Sequence, residues 1–146
     1  MTFSIKTKGF NDIIDITERV QEEVKKSKVK EGICLVSCPG STCGITTIEY
    51  EDGLIEDLKR AMGRVAPMNE DYEHCKKWPA SPDSRASRGG GDCNGYAHIR
   101  SALIKPFLAV PIENEKLALG QWQQITLIDF DNRPREREIL VKVIGS

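Results

Sequence analysis

A chain of 146 residues, 39% hydrophobic and 29% charged, is long enough to bury a core of its own and too apolar to remain unfolded. Its 21 basic and 22 acidic side chains leave a formal charge of -1, which removes the electrostatic attraction that draws basic proteins to nucleic acid or to anionic membranes. With no apolar run near the ~20 residues of a membrane span and no signal-like N-terminus, the expectation is a cytoplasmic protein, one domain over residues 1–146, with neither nucleic acid nor membrane among its partners.

Thr2 to Thr7 alternates Phe3 and Ile5 with polar neighbours, the period of a half-buried strand, and Gly9 ends it. The run Asp15-Ile16-Thr17-Glu18 resembles a capping box. Ile16, Val20 and Val24 then recur at four-residue intervals toward a lysine-rich end, predicting a helix from about residue 12 or 15 to 27. Ile33 to Cys38 is a short continuous apolar run that reads as a strand buried on both faces, with Cys34 and Cys38 as core thiols. Pro39-Gly40 turns the chain into a strand from Ile45 to Tyr50, where Ile45, Thr47 and Glu49 share one face. Asp52-Gly53 opens a second helix whose Leu54, Leu58, Ala61, Met62 and Val65 form one apolar stripe toward the core, and Pro67 ends it.

The next thirty or so residues, to about Tyr96, carry Trp78, Pro79, Pro82 and a glycine run without usable periodicity; loops of that length are usually functional or disordered. Beyond them Ala97 to Ile104 predicts a short helix bearing His98, and Phe107–Ile112, Leu117–Leu119, Trp122–Asp129 and Glu138–Ile144 read as strands. Two main helices with a mostly antiparallel sheet make an α+β fold. The basic-rich stretches Lys25 to Lys30 and Arg133 to Arg137 are interrupted by other residues and read as solvated surface.

The segment Gly89 to His98 packs four glycines, a carboxylate, an amide, a thiol and an imidazole into ten residues, a composition that favours close approach to a ligand over mere spacing. His98 and His74, the chain's 2 histidines, frame this irregular region. Neutral imidazoles can bind a divalent metal such as zinc, with Glu49, Asp92 or a cysteine completing the shell; two ordinary, unrelated histidines are the plainer alternative. Asp92 and Asn94 can instead orient the imidazoles or bind substrate. Gly89 to Gly91 either present N–H groups to a phosphate or simply permit a turn, whereas Gly95 looks more constrained.

Ser41, Thr42 and Cys43 follow a Pro-Gly turn and can form an anion nest; Cys43 is the thiol suited to act as nucleophile or metal ligand, against the simpler reading of a small buried residue at a strand start. Trp122, Gln123 and Arg135 are candidate pocket walls for flat or anionic ligands, Trp122 being equally suited to sheet core. The 5 cysteines, Cys34, Cys38, Cys43, Cys75 and Cys93, are odd in number and contain no Cys-x-x-Cys pair, so no disulfide framework is expected.

Four ordered motifs, residues 40–51 (Gly40-Ser-Thr-Cys-Gly to Glu51), 71–74 (Asp-Tyr-Glu-His74), 91–99 (Gly-Asp-Cys-Asn-Gly-Tyr-Ala-His98-Ile) and 119–125 (Leu-Gly-Gln-Trp-Gln-Gln-Ile125), closely resemble the YjbQ family, also called the secondary thiamine-phosphate synthase family. The resemblance runs nearly from end to end. It implies an α+β fold of antiparallel β-sandwich character and a homotrimer with sites near the subunit boundaries. Where the family carries His-Thr-Ser-Ala, this chain has Gly40-Ser41-Thr42-Cys43, so one expected imidazole is missing. His74 and His98 alone leave a zinc-like ion short of the three protein ligands of an open site, unless Cys43, Glu49 or Asp92 compensates.

The activity the resemblance implies joins a hydroxymethylpyrimidine pyrophosphate to a thiazole phosphate and expels pyrophosphate. Backbone N–H groups at Ser41, Thr42 and Gly91 to Gly95, with Arg135 and a metal at His74 and His98, would hold the departing phosphates, while Glu49 or Asp92 positions metal or accepts a proton. The motif regions contain more acids and amides than lysines, which weighs against a dedicated pyrophosphate site. A metal-dependent phosphate-ester hydrolase is the competing enzyme, and a trimeric module that binds a small anion or metal without turnover is the non-catalytic alternative. In each case the partner is a small phosphorylated metabolite or anion.

Overall fold

The computed structural model describes residues 1–76 and 93–146. Its elements are β1 (Thr2–Thr7), β2 (Asp12–Asp15), α1 (Thr17–Ser27), β3 (Glu31–Ser37), β4 (Cys43–Ile48), α2 (Asp52–Val65), α3 (Glu73–Lys76), α4 (Gly95–Ile104), β5 (Phe107–Glu113), β6 (Lys116–Leu117), β7 (Gln124–Asp129) and β8 (Arg135–Gly145). The strands form two sheets, β1-β8-β3-β5-β6 and β2-β7-β4, with every pairing antiparallel. The fold is α+β, as the sequence predicts.

Two cores separate three layers. Ile16, Val20 and Val24 of the α1 region pack with Cys34, Val36, Ile139 and Val141 of the larger sheet and Ile125 and Leu127 of the smaller one. Burying each such branched side chain contributes about 1.5–3 kcal/mol. On the other face of the smaller sheet, Ile13, Ile128 and Phe130 meet Met62, Ala66, Tyr96 and Ala97 from the α2 and α4 regions. Successive side chains of β7 therefore alternate between two cores, and β7 is the strand covered on both sides.

Several expectations need correction. The apolar run of β3 is not buried on both faces: Cys34 and Val36 are fully buried, but Ile33 is 56% and Leu35 38% exposed, because this antiparallel sheet has only one side on the core. Residues 12–15 form a strand rather than the start of a helix, since Ile13 and Ile14 find long-range partners in Ile128 and Leu127. The helix begins at Thr17, whose N–H and hydroxyl both donate to Asp15 Oδ1, at 2.9 and 2.6 Å. The stripe on α2 is narrower than expected: Met62 is buried, Leu58 partly so, and Val65 is 54% exposed. Trp122 is 66% exposed and precedes β7, so it is not sheet core. Arg137 is not solvated surface; it lies within β8 and is 8% exposed. Among the described residues no helix is long and apolar enough to cross a membrane.

Candidate functional site

The two histidines come from separate helices, and the chain brings them together by three devices. Tyr72 anchors the approach to α3, its hydroxyl donating to the Pro67 carbonyl at 2.6 Å. Gly95, the first residue of α4, lets that segment dock, because a Cβ there would sit 2.7 Å from Tyr72 Cβ. A disulfide joins Cys75 to Cys93 across a Cα–Cα distance of 4.9 Å. This corrects the expectation of no disulfides: the partners are 18 residues apart, with no short-spacing signature, and they meet only because α3 and the start of α4 meet. As a result the rings of His74 and His98 lie edge to face with centroids 4.7 Å apart.

Asn94 is the residue before α4, and its side chain does not cap the helix. Its amide instead donates to Asp131 Oδ1 at 3.2 Å, and its own Oδ1 is buried and accepts no hydrogen bond from the described residues. The first turn of α4 contains no acidic side chain, so the positive end of the helix dipole meets no negative charge from within the helix, and the Ala97 N–H donates to the Asn94 carbonyl at 2.9 Å.

Asp131 gathers the remaining parts. Its Oδ1 also accepts the Asn132 N–H at 2.8 Å; its Oδ2 accepts the Thr42 hydroxyl at 3.1 Å, Arg135 Nε at 2.9 Å and Arg135 Nη2. Burial raises the pKa of this carboxyl, but hydrogen bonds from Asn132, Asn94 and Arg135 together with the Arg135 charge outweigh burial and hold it below the usual carboxylate value. Beside it, Asp129 accepts from Thr7 Oγ1 at 2.5 Å, from Arg137 Nε at 2.9 Å and from Arg137 Nη2 at 2.7 Å. Arg137 Nη2 reaches on to Thr42 Oγ1 at 2.8 Å. Two carboxylates and two guanidiniums thus cancel in charge while fixing the loop before β4, the start of α4 and β8 relative to one another.

The expected site residues fall into two groups. Thr42, Asn94, Gly95 and Arg135 are tied together through Asp131 or adjoin it along α4, and His98 lies one turn further with His74 against it. Ser41 is exposed on the loop before Thr42. Cys43 is fully buried with its Sγ 3.3 Å from that of Cys38. Glu49 lies beyond the other end of β4, roughly 20 Å along the strand direction, where Asp15, Tyr50, Trp122 and Gln124 join it around a hollow of about 620 Å³. Gln123 donates to Thr47 Oγ1 at 3.1 Å and lines a separate hollow of about 480 Å³ with Thr17, Gln21 and Gly120. Asp92, Trp78 and the glycine run at 89–91 lie outside the described residues.

Sequence reasoning missed Asp129, Asp131 and Arg137. A signal was present: Asp-Phe-Asp at 129–131 and Arg-Glu-Arg at 135–137 each place like charges two apart, hence on one face of an extended chain, and the two runs complement each other. As for a metal, among the described residues no three His, Cys, Asp or Glu side chains converge on one point. Two imidazoles alone do not supply the ligand set of an open zinc site.

Two facing antiparallel sheets flanked by helices, with paired histidines beside a buried ionic network, define the architectural class. The whole chain, residues 1–146, matches the family model described as UPF0047 protein YjbQ-like, and the chain belongs to that family. It is 33% identical over 144 residues to a UPF0047 protein of Archaeoglobus fulgidus, covering 99% of this chain and 100% of that one. It is likewise 33% identical over 144 residues to UPF0047 protein YugU of Bacillus subtilis, covering 99% and 98%. Among solved structures, a YbjQ-like protein of unknown function from Sulfolobus solfataricus superposes with a TM-score of 0.84 at 28% identity, covering 100% of this chain and 97% of that one. An uncharacterised conserved protein of the yjbq/upf0047 family from Clostridium acetobutylicum gives 0.82 at 33% identity, covering 99% of each. These names assign the family and the fold and no reaction.

Proposed function

We propose that the protein binds and turns over a small phosphorylated metabolite at the His74–His98 pair. The observation that carries this reading is the edge-to-face contact of the two imidazoles, 4.7 Å between centroids, beside the start of α4. Imidazoles give and take protons near neutral pH, and two of them facing one ligand can serve as base for the attacking water or alcohol and acid for the leaving oxygen. The positive end of the α4 dipole favours a negatively charged ligand, and the buried Asn94 Oδ1 supplies one acceptor for orientation.

Charge favours a monophosphate over a pyrophosphate. Arg135 and Arg137 are each held by a carboxylate, so the network offers fixed geometry and little surplus positive field. Hydrolysis or transfer of a phosphate ester therefore suits the site better than thiamine-phosphate synthesis, which must neutralise a departing pyrophosphate. In the same reading the protein works in the cytoplasm as a trimer, as the resemblance implies, with further copies over the outer face of the larger sheet, where Ile33, Leu35, Phe107 and Ile144 are exposed.

The test is turnover of a panel of phosphate monoesters by wild type, His74→Ala and His98→Ala, with circular dichroism as the fold control and elemental analysis alongside. Expected is hydrolysis or transfer of at least one ester that falls at least 100-fold in a folded His98→Ala variant. Equal turnover in all three proteins, or no turnover and no thermal protection by inorganic phosphate, overturns the reading. Stoichiometric zinc lost in both variants would replace the acid–base role of the imidazoles with ligation.

A further inference from the structure

The three free cysteines are all buried, but they are not equivalent. Cys34 faces the core from β3, whereas Cys38 and Cys43 close the ends of the turn that runs through Pro39 and Gly40, with their sulfurs 3.3 Å apart. Above them the chain is thin: Pro39, Gly40 and Ser41 are exposed while both thiols are 0% exposed. A Cβ on Gly40 would stand 3.2 Å from Arg137 Nη1 and 3.3 Å from Cys43 Sγ. Gly40 is thus an exposed residue whose missing side chain would abut a guanidinium and a thiol. Arg137 is anchored for that position, since its Nε and Nη2 are the nitrogens held by Asp129 and Thr42.

We propose that Cys38 and Cys43 are a redox-active thiol pair, in which Cys43 attacks a hydroperoxide admitted at Gly40 and Cys38 then closes the disulfide. The two sulfurs are chemically unlike. The contact between the two thiols lowers the Cys43 pKa, opposed by burial and aided by Arg137; the same contact and burial push the Cys38 thiol far up. Cys43 is thus the readier of the two to ionise, and it is also the sulfur nearer to Gly40 and to the Arg137 guanidinium. Cys34 is the internal control, its pKa pushed up to about 11 by burial alone.

The steps balance. The Cys43 thiolate forms an S–O bond to the outer oxygen of the hydroperoxide, the O–O bond breaks, and the alkoxide takes a proton from water and leaves as alcohol; sulfur loses two electrons and the peroxide gains them. The Cys38 sulfur then displaces hydroxide from the Cys43 sulfenic acid, and its proton leaves with that hydroxide as water. Closing the sulfurs from 3.3 Å to the ~2.0 Å of a disulfide needs side-chain rotation within a turn, not movement of a sheet. An external dithiol restores the pair by exchange. None of this depends on the histidines.

The test treats reduced, folded protein with hydrogen peroxide, quenches with a thiol-blocking reagent and maps peptides by mass. With the Cys75–Cys93 disulfide followed separately, expected among the three remaining cysteines is a two-hydrogen loss that joins Cys38 to Cys43, at least ten times faster than modification of Cys34 and reversed by dithiothreitol. Cys38→Ser should stop at a sulfenic acid on Cys43, trapped by dimedone. A Cβ at Gly40 sits tight against Arg137 Nη1 and Cys43 Sγ, so Gly40→Ala, the smallest addition there, should slow oxidation at least tenfold in protein that circular dichroism shows to be folded. Oxidation of Cys34 as fast as Cys43, or a disulfide that forms only in denaturant, overturns the proposal from wild-type protein alone.

Discussion

The two ends of the three-stranded sheet hold acids in opposite circumstances. At the Thr42 end Asp129 and Asp131 are fully buried, and both oxygens of each carboxylate accept hydrogen bonds. At the far end Asp15, Glu49, Glu51 and Asp52 border an open hollow beside Trp122. Water solvates the second set, and even where Asp15 and Glu51 accept from the starts of α1 and α2, water can reach the donors they would leave. The first set has exchanged water for specific partners, and every member left alone would be a buried charge or an unmet donor. The difference shows where this sequence is constrained: not by how many acids it carries, but by which of them have given up solvent.

The largest effect should come from removing one partner of the buried pair. Asp129→Ala leaves the Arg137 guanidinium buried beside Cys43 without its principal counter-ion, and the expected loss is about 3–5 kcal/mol in urea unfolding. A loss below about 1 kcal/mol would mean that water reaches Arg137 and that the two ends do not differ as described.

A smaller effect should appear in acid. The Asp131 carboxyl is held below the usual carboxylate value in the folded protein, so the stability it adds is present above the unfolded value and disappears as pH falls through the folded one. Asn94→Ala removes a hydrogen bond that favours the carboxylate, moves the folded value up toward the unfolded one and narrows that window. The midpoint of acid unfolding, followed by circular dichroism between pH 5 and the acid limit, should rise in Asn94→Ala. An unchanged midpoint would mean that Asn132 and Arg135 set the ionisation without Asn94.

Local pattern made much of the fold legible. The alternation of Phe3 and Ile5, the spacing of Ile16, Val20 and Val24, and the turn residues between later strands each report a neighbour's environment within a few positions. What the pattern concealed depends on distant partners. Ile13 and Ile14 read as the start of a helix because nothing nearby says that β7 will pair with them. The run 133–137 reads as surface because two arginines attract water unless two aspartates are waiting. Of the site, the two histidines were legible by rarity alone, whereas Asp131, which holds Thr42, Asn94 and Arg135 together, carries no local mark beyond its spacing from Asp129.

The smallest expected effect is also the most discriminating. Glu49 is exposed and lies at the solvated end of the sheet, so Glu49→Gln should change stability by no more than about 0.5 kcal/mol. Turnover is the sharper readout. If the working site lies wholly at the His74–His98 end of one chain, the variant should retain phosphate-ester turnover within a factor of two, because roughly 20 Å of strand separates the carboxylate from the Asp131 network. Loss of turnover with the fold and thermal midpoint intact would require a second copy to carry its Glu49 to the first copy's histidines. The distinction between a solvated acid and a committed one would then hold only for the isolated chain, and mixing Glu49→Gln with His98→Ala protein would restore activity in the mixed assembly.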